Sequence, residues 1–394
     1  MNVANKKTRI FCLAAAMLFF LAIVGGGLYA SGLMSKETVK KIAEDKSKSL
    51  ELEKPLTLDE KVDKIVAAMS PAEKIGQMMM IGIKGRDANT DSLYMLHEYH
   101  MGGIVLFDRN MESKEQVKEL TQRLQEDAAE KVPLFIAVDE EGGDVVRMAN
   151  SLTSPPAQLA LGRTGDSTVA QNWAVKTAKE LKAMGINVNF APVADVGSND
   201  NRSYSRDVDT VTEFVRSAAN GYEQENMIYS LKHFPGIGKG QMDSHIDAYK
   251  IEAERKLLET EDFVPFRAII DEKDPANYFI MVSHLNYPSL DEKYPASLSR
   301  KIMTGILRED MKYQGLIITD DMEMGAVAKH YDFKELGVRA VDAGADIVLV
   351  CHEYEHETDV YNGLLKALQN GDISQERIDA SVKRIVMTKL RHLL

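Results

Sequence analysis

Eight short apolar runs, with helix-patterned stretches between most of them, constrain the fold of this chain more than any other feature. They are MMMIGI (78–83), GGIVLF (102–107), PLFIAVD (133–139), INVNFAPV (186–193), MIYSLKHF (227–234), YFIMVSH (278–284), GLIITDD (315–321) and IVLVCHE (347–353). Most are continuously apolar and do not alternate. That pattern belongs to strands covered on both faces, as in a parallel sheet. Segments such as SKEQVKELTQRLQEDAAE, DSTVAQNWAVKTAKELKAMG, DTVTEFVRSAANGYEQEN and FKELGVRAVDAG carry helical periodicity. Repeated strand–helix alternation predicts one α/β domain, a single (β/α)8 TIM-type barrel. A doubly wound open sheet is the alternative; the count of eight and the length favour the barrel. Residues 61–394 exceed the roughly 250 typical of such barrels but stay within their range. The amphipathic stretch RIDASVKRIVMTKLRHLL closes the ring, and no sequence is left for a second large domain.

The N-terminus reads differently. Lys6, Lys7 and Arg9 precede the uncharged run IFCLAAAMLFFLAIVGGGLYA, residues 10–30. This is a signal peptide or a membrane anchor, long enough to span a bilayer. A retained anchor is favoured, because cleavage after Ala30 would put the bulky Leu28 where a small residue is preferred. Positive-inside logic then places the rest outside the cytoplasm, either membrane-anchored or secreted. Residues 31–60 are charged and free of aromatics, and read as a tether. The expected order is therefore 1–30 signal or anchor, 31–60 linker and 61–394 catalytic domain. Only Cys12 and Cys351 are present, so neither a disulfide framework nor a cysteine metal site is expected. The net charge of −12 argues against nucleic acid as a partner. The membrane is met through the N-terminal segment alone, and the chain is read as a monomer.

In a barrel, chemistry gathers at the C-terminal strand ends. Here those ends carry Asp139 (followed by EEGG), Asp195, Lys232-His233, His284, Asp320-Asp321 and His352-Glu353. Charges at so many strand tips are costly unless they pair around a solvated pocket. Single members have blander readings. Asp321 suits a helix N-cap before MEMGAVAKH. His284 suits a packing or hydrogen-bonding role, and His352 and Glu353 suit the rim. Lys232 is the least easily explained as structural, since lysine is seldom buried unpaired.

The segment LKHFPGIGKGQMDSHID (231–247) adds a Gly-rich loop after the fifth run. Asp243 and His245, two residues apart, point the same way on extended chain. A carboxylate beside an imidazole orients the ring and favours its protonated form, giving a proton donor near neutral pH. His233, Asp243 and His245 are also metal-ligand types. Neither an HExxH motif nor a His-x-His pair at the end of the first run accompanies them, so no metal is expected, and no cofactor.

KHFPGIGKGQMDSH resembles the K-H-F-P-G-H-G-x-x-x-x-D-S-H signature of family 3 glycoside hydrolases, in the β-N-acetylglucosaminidase (β-hexosaminidase) branch. VDEEGGDVVR, NFAPVADV, NRSYS and LIITDDMEMGAV resemble further segments of that family, in collinear order from about residue 61 to the C-terminus. The resemblance implies Asp320 as nucleophile, His245 as general acid/base and Asp243 as its orienting partner. It implies Asp139, Arg202, Lys232 and His233 as groups that hold the hydroxyls of a terminal sugar. The expected activity is exo-acting, retaining hydrolysis of terminal β-linked N-acetylglucosamine from cell-wall muropeptides or related glycans, through a covalent glycosyl-aspartate. A β-glucosidase or glycoside phosphorylase of the same family, or a silent glycan-binding protein, are the alternatives. Three positions depart from the pattern. Ile237 stands for the second His of the loop, Asp144 for an Arg, and Ser205 for a Gly.

Overall fold

The computed structural model describes residues 37, 40–41, 56–128, 132–148, 152–197, 200–240 and 250–393. The expected signal or anchor (10–30), and both Asp243 and His245, lie outside the described residues. Among the described residues, no helix is long and apolar enough to cross a membrane. The larger of the chain's two compact units is Leu58–Leu394.

All eight apolar runs contain strands. They are β1 (Met79–Gly82), β2 (Gly103–Val105), β3 (Phe135–Val138), β4 (Val188–Asn189), β5 (Ile228–Phe234), β6 (Tyr278–Val282), β7 (Leu316–Asp321) and β8 (Ile347–Val350). Every neighbouring pair is parallel, and β1 also pairs with β8, so the sheet closes into a barrel in strand order 1 to 8. Closure explains the missing alternation. Strand side chains face either the barrel interior or the ring of helices, and both are dry. The first four residues of β7 and all of β1, β3 and β8 are buried.

Several helices start where their sequences say they should. Ser70 and Glu73 form a reciprocal capping box, with Pro71 at the first helical position. Asp207, Asp332 and Ser374 each cap a following helix through a side-chain oxygen. The expectation for Asp321 does not hold. The short helix after β7 begins at Gly325 with Met324 as N-cap, and Asp321 is the last residue of the strand. Its carboxylate accepts the Glu323 amide at 3.1 Å, turning the chain before the helix can start.

The N-terminal end of the barrel is sealed. Lys389, on the last helix (Gln375–His392), is fully buried and donates to the Gly102 carbonyl at 2.7 Å and Gln77 Oε1 at 2.8 Å. Chain leaving the strands at the opposite end builds the cavity described next.

Candidate active site

A cavity of about 530 Å3 opens at the C-terminal ends of the strands. Asp139, Arg202, Lys232, His233 and Asp320 all line it. They come from four chain segments, brought together by closure of the barrel.

Lys232, near the end of β5, is 3% exposed. Its ammonium lies 2.7 Å from Asp139 Oδ1 and 2.5 Å from Glu141 Oε1. Arg202 grips Glu141 with two parallel bonds, Nε to Oε2 and a terminal nitrogen to Oε1, both 2.8 Å. This is the bidentate geometry that guanidinium favours with carboxylate. Arg147 closes the other side, donating to Asp139 Oδ2 at 3.0 Å. Three cations and two carboxylates therefore form one chain along the cavity wall. Burial alone would push both carboxyls up. Lys232 with Arg147 outweighs it at Asp139, holding that group well below the usual carboxylate range. Lys232 with Arg202 brings Glu141 down to about 2. Burial lowers the Lys232 pKa and its two carboxylates raise it, with a net upward shift. The network stays charged across the whole neutral range.

His233 is oriented by a second layer. Its Nδ1 is 2.8 Å from Asp195 Oδ2, and its Nε2 is 3.3 Å from a terminal nitrogen of Arg202. Guanidinium only donates, so Nε2 accepts and Nδ1 carries the proton. Asp195 is 1% exposed, and its Oδ1 also accepts the amides of His233 and Ile237. One carboxylate thus fixes the tip of β5 and the root of the Gly-rich loop. Ile237 lines the cavity and packs on the core. Asp144 is exposed, on the turn after the EEGG stretch. Ser205 accepts the Gly197 amide through its carbonyl, away from the cavity lining.

Gly142 and Gly143 have φ of 100° and 61°. A Cβ on Gly142 would lie 2.6 Å from the Pro156 carbonyl oxygen, so only glycine fits there. The resulting turn bridges Gly142 to Val145 and brings Arg147 back against Asp139. Glu140 braces it from below, accepting from the Arg147 amide at 2.9 Å and the Ser154 hydroxyl at 2.7 Å.

Asp320 occupies the opposite wall, half-buried at the tip of β7, and its Oδ1 accepts the Asp321 amide at 2.9 Å. Beside it, Asp321 Oδ2 lies 3.2 Å from His352 Nε2. That hydrogen bond raises the His352 pKa. Asp321, Glu323 and His352 offer ligand atoms within 4.8 Å of one another, the spacing of a metal site. Protein donors already occupy them. Glu323 accepts the amides of Cys351, His352 and Glu353, where the chain enters the helix Tyr354–Asn370, and lies 2.6 Å from His356 Nδ1. Cys351 is buried, and burial pushes its thiol well up, so it is no nucleophile.

Sequence reasoning singled out four members of the Lys232 side of the cavity and missed two. Glu141 and Arg147 both sit inside VDEEGGDVVR, and the signal for them was the acid–glycine–basic order of that segment. His352 was read as rim; it lines the cavity.

Residues 71–388 match the glycosyl hydrolase family 3 N-terminal domain. The chain is 32% identical to beta-hexosaminidase A of Pseudoalteromonas piscicida over 75% of its own length and 54% of that protein. It is 31% identical to the beta-hexosaminidase of Haemophilus influenzae, over 76% and 84% of the two chains. Among solved structures it is similar to a family 3 beta-N-acetylglucosaminidase from Paenibacillus. The TM-score is 0.80 and the identity 38%, over 82% of this chain and 63% of that one. A family 3 glycosyl hydrolase from Mycobacterium smegmatis gives a TM-score of 0.76 at 30% identity, over 82% and 98%. The chain thus spans little more than half of the Pseudoalteromonas protein and nearly all of the mycobacterial one. With a closed eight-stranded barrel, a charged cavity at its C-terminal end and a domain match over most of its length, the chain belongs to glycosyl hydrolase family 3.

Proposed function

We propose that this protein is an exo-acting, retaining β-N-acetylglucosaminidase that removes terminal β-linked N-acetylglucosamine from cell-wall muropeptides or related glycans. The observation that carries the reading is the placement of Asp320 on one wall of the cavity, with the Asp139–Lys232–Glu141–Arg202 network on the other. A terminal sugar needs fixed donors and acceptors for its hydroxyls and a carboxylate at its anomeric carbon. The two walls supply these separately.

In this reading the ammonium of Lys232, the guanidinium groups of Arg147 and Arg202, and the imidazole of His233 hold the sugar. Asp320 attacks the anomeric carbon and forms a glycosyl ester as the bond to the leaving oxygen breaks. His245, oriented by Asp243, donates the proton to that oxygen; then, as the free base, it takes a proton from the water that cleaves the ester. Both residues of this pair lie outside the described residues, so their part rests on the sequence signature. The charged network keeps its ionisation from the acid range upward, with Glu141 at about 2. The limbs of the pH–rate profile then do not come from this network.

The names of the beta-hexosaminidase relatives support the sugar, and Lys6, Lys7 and Arg9 ahead of residues 10–30 support an exported, tethered enzyme. The test is turnover of chromogenic β-N-acetylglucosaminide and β-glucoside side by side. The reading predicts clear preference for the former, and loss of about 10³-fold or more in kcat for Asp320→Ala. Equal turnover of both sugars, or activity in Asp320→Ala, rejects it.

A further inference from the structure

β7 does not reach its end in register. Ile318 faces Ile347 of β8, but Asp321 faces Leu349, so three steps on one strand match two on the other. Such a bulge frees ladder groups and re-aims a side chain. The residues inside it are Thr319 and Asp320.

Two side chains take up what the bulge releases. On the β8 side, the Thr319 hydroxyl accepts the Leu349 amide at 3.1 Å. On the β6 side, His284 Nε2 lies 2.8 Å from the Asp321 carbonyl oxygen. A carbonyl only accepts, so Nε2 carries the proton. The other ring nitrogen, Nδ1, is 2.6 Å from Ser297 Oγ, which is left to donate to it. His284 is 2% exposed and Ser297 fully buried, with the Ser297 amide donating to the Ser283 carbonyl at 3.0 Å. A buried chain of hydrogen bonds therefore runs from Ser297 through His284, at the edge of the cavity, to the Asp321 carbonyl, one peptide beyond Asp320. The second hydrogen bond decides the tautomer that makes the first one possible.

We propose that His284, held in one tautomer by Ser297, is a positioning residue that aims the Asp320 carboxylate at the anomeric carbon. The proposal rests on the reading of Asp320 as the nucleophile. His284 acts through the Asp321 peptide. Without its donor, that carbonyl keeps only the Met324 amide at 3.0 Å, and the bulge is braced from the β8 side alone. A carboxylate displaced by about 1 Å loses its near-attack geometry, which is worth about 10²-fold in rate. Sugar binding rests on the other wall and should not change.

The test measures kcat, KM and thermal unfolding for His284→Ala, His284→Gln, Ser297→Ala and Asp320→Ala of the full chain, on a chromogenic β-N-acetylglucosaminide. His284→Ala should lower kcat about 10²-fold with KM within about threefold of the wild type. His284→Gln presents an amide N–H near the Nε2 position and should recover about tenfold of that loss. Ser297→Ala releases the tautomer and should lower kcat about three- to tenfold, again without a matching rise in KM. Rescue by Gln separates positioning from stability, because a packing role would follow the unfolding temperature. Wild-type kcat in His284→Ala, or a Gln variant no faster than Ala, overturns the proposal. Should His284→Ala fail to fold, Ser297→Ala decides: unchanged kcat overturns it, and reduced kcat at unchanged KM supports it. Asp320→Ala keeps the two failures apart. If that variant is inactive while His284→Ala is normal, only the positioning role falls. If Asp320→Ala is active, the nucleophile assignment falls and takes this proposal with it.

Discussion

Two buried carboxylate–cation clusters sit at opposite ends of the barrel, and they are built for different ends. At the sealed end, Asp346 precedes β8 and is fully buried. It accepts from Arg308 and the Ile317 amide through one oxygen, and from Arg384 at 3.0 Å and Ser381 at 2.6 Å through the other. Arg377 lies 3.8 Å away. At the open end, Asp139 and Glu141 are shared among Lys232, Arg147 and Arg202 along a cavity wall. Cations hold the carboxyls low at both ends, against the opposing effect of burial. The ion-pair chemistry is therefore the same. What differs is where the remaining hydrogen-bonding capacity points: into protein at Asp346, and into an open cavity at Lys232. Burial and perturbed ionisation alone would not tell a structural cluster from a binding one.

Substitutions can break this contrast directly. The largest expected effect is Asp346→Asn, which leaves three partly buried arginines short of their counter-charge. Removing one partner of such a cluster costs about 3–5 kcal/mol, read as a fall in the denaturation midpoint, with the kcat/KM of the folded fraction unchanged. A loss of activity without loss of stability would erase the distinction.

Lys232→Met should do the reverse. It removes two charge-assisted contacts beside the sugar and should cut kcat/KM by about 10²–10³-fold. Its stability cost should be smaller than that at Asp346, because each abandoned carboxylate keeps an arginine, Asp139 with Arg147 and Glu141 with Arg202. Denaturation curves alongside kinetics would show which end each residue serves. Arg202→Lys sharpens the comparison further. It keeps the charge but gives up the two-bond grip on Glu141, so KM should rise about tenfold with kcat little changed.

A further effect at the sealed end is a dependence on pH. Burial pushes Lys389 from 10.5 down to about 7, against the pull of its two acceptors and the face of Phe135. Between those values the unfolded chain holds a proton that the folded chain has released. Stability should therefore rise with pH from about 7 toward 10. In Lys389→Met that rise should vanish, whatever the variant's absolute stability. Glu141 gives the same direction of slope at the open end, in a lower pH window and from attraction to cations instead of burial. Its pKa falls from 4.5 to about 2 on folding, so its contribution is complete above about 4.5 and is lost as pH drops toward 2.

The same contrast explains what the sequence made legible. The eight strands were visible because burial on both faces removes polar residues from each run. The Lys232 wall was visible because charges at strand tips are conspicuous in an apolar context. What stayed hidden depends on contacts between distant segments. Nothing local marks Ser297 as the partner of His284, thirteen residues earlier, or of the Asp321 carbonyl. The register shift in β7 leaves no pattern in LIITDD, so Asp321 read as a helix cap when it is a strand end paired with His352. Arg147 reaches Asp139 only because a two-glycine turn folds it back.

The most direct test of the account is covalent trapping. Incubation with a 5-fluoro N-acetylglucosaminide, followed by peptide mapping, should give one stable adduct on the peptide containing LIITDD, with the sugar esterified to Asp320. The adduct should be lost in Asp320→Ala and form more slowly in Lys232→Met. An adduct on any other residue, or turnover by a route that leaves Asp320 unlabelled and dispensable, would contradict the claim that this end of the barrel is built to hold a sugar against that carboxylate.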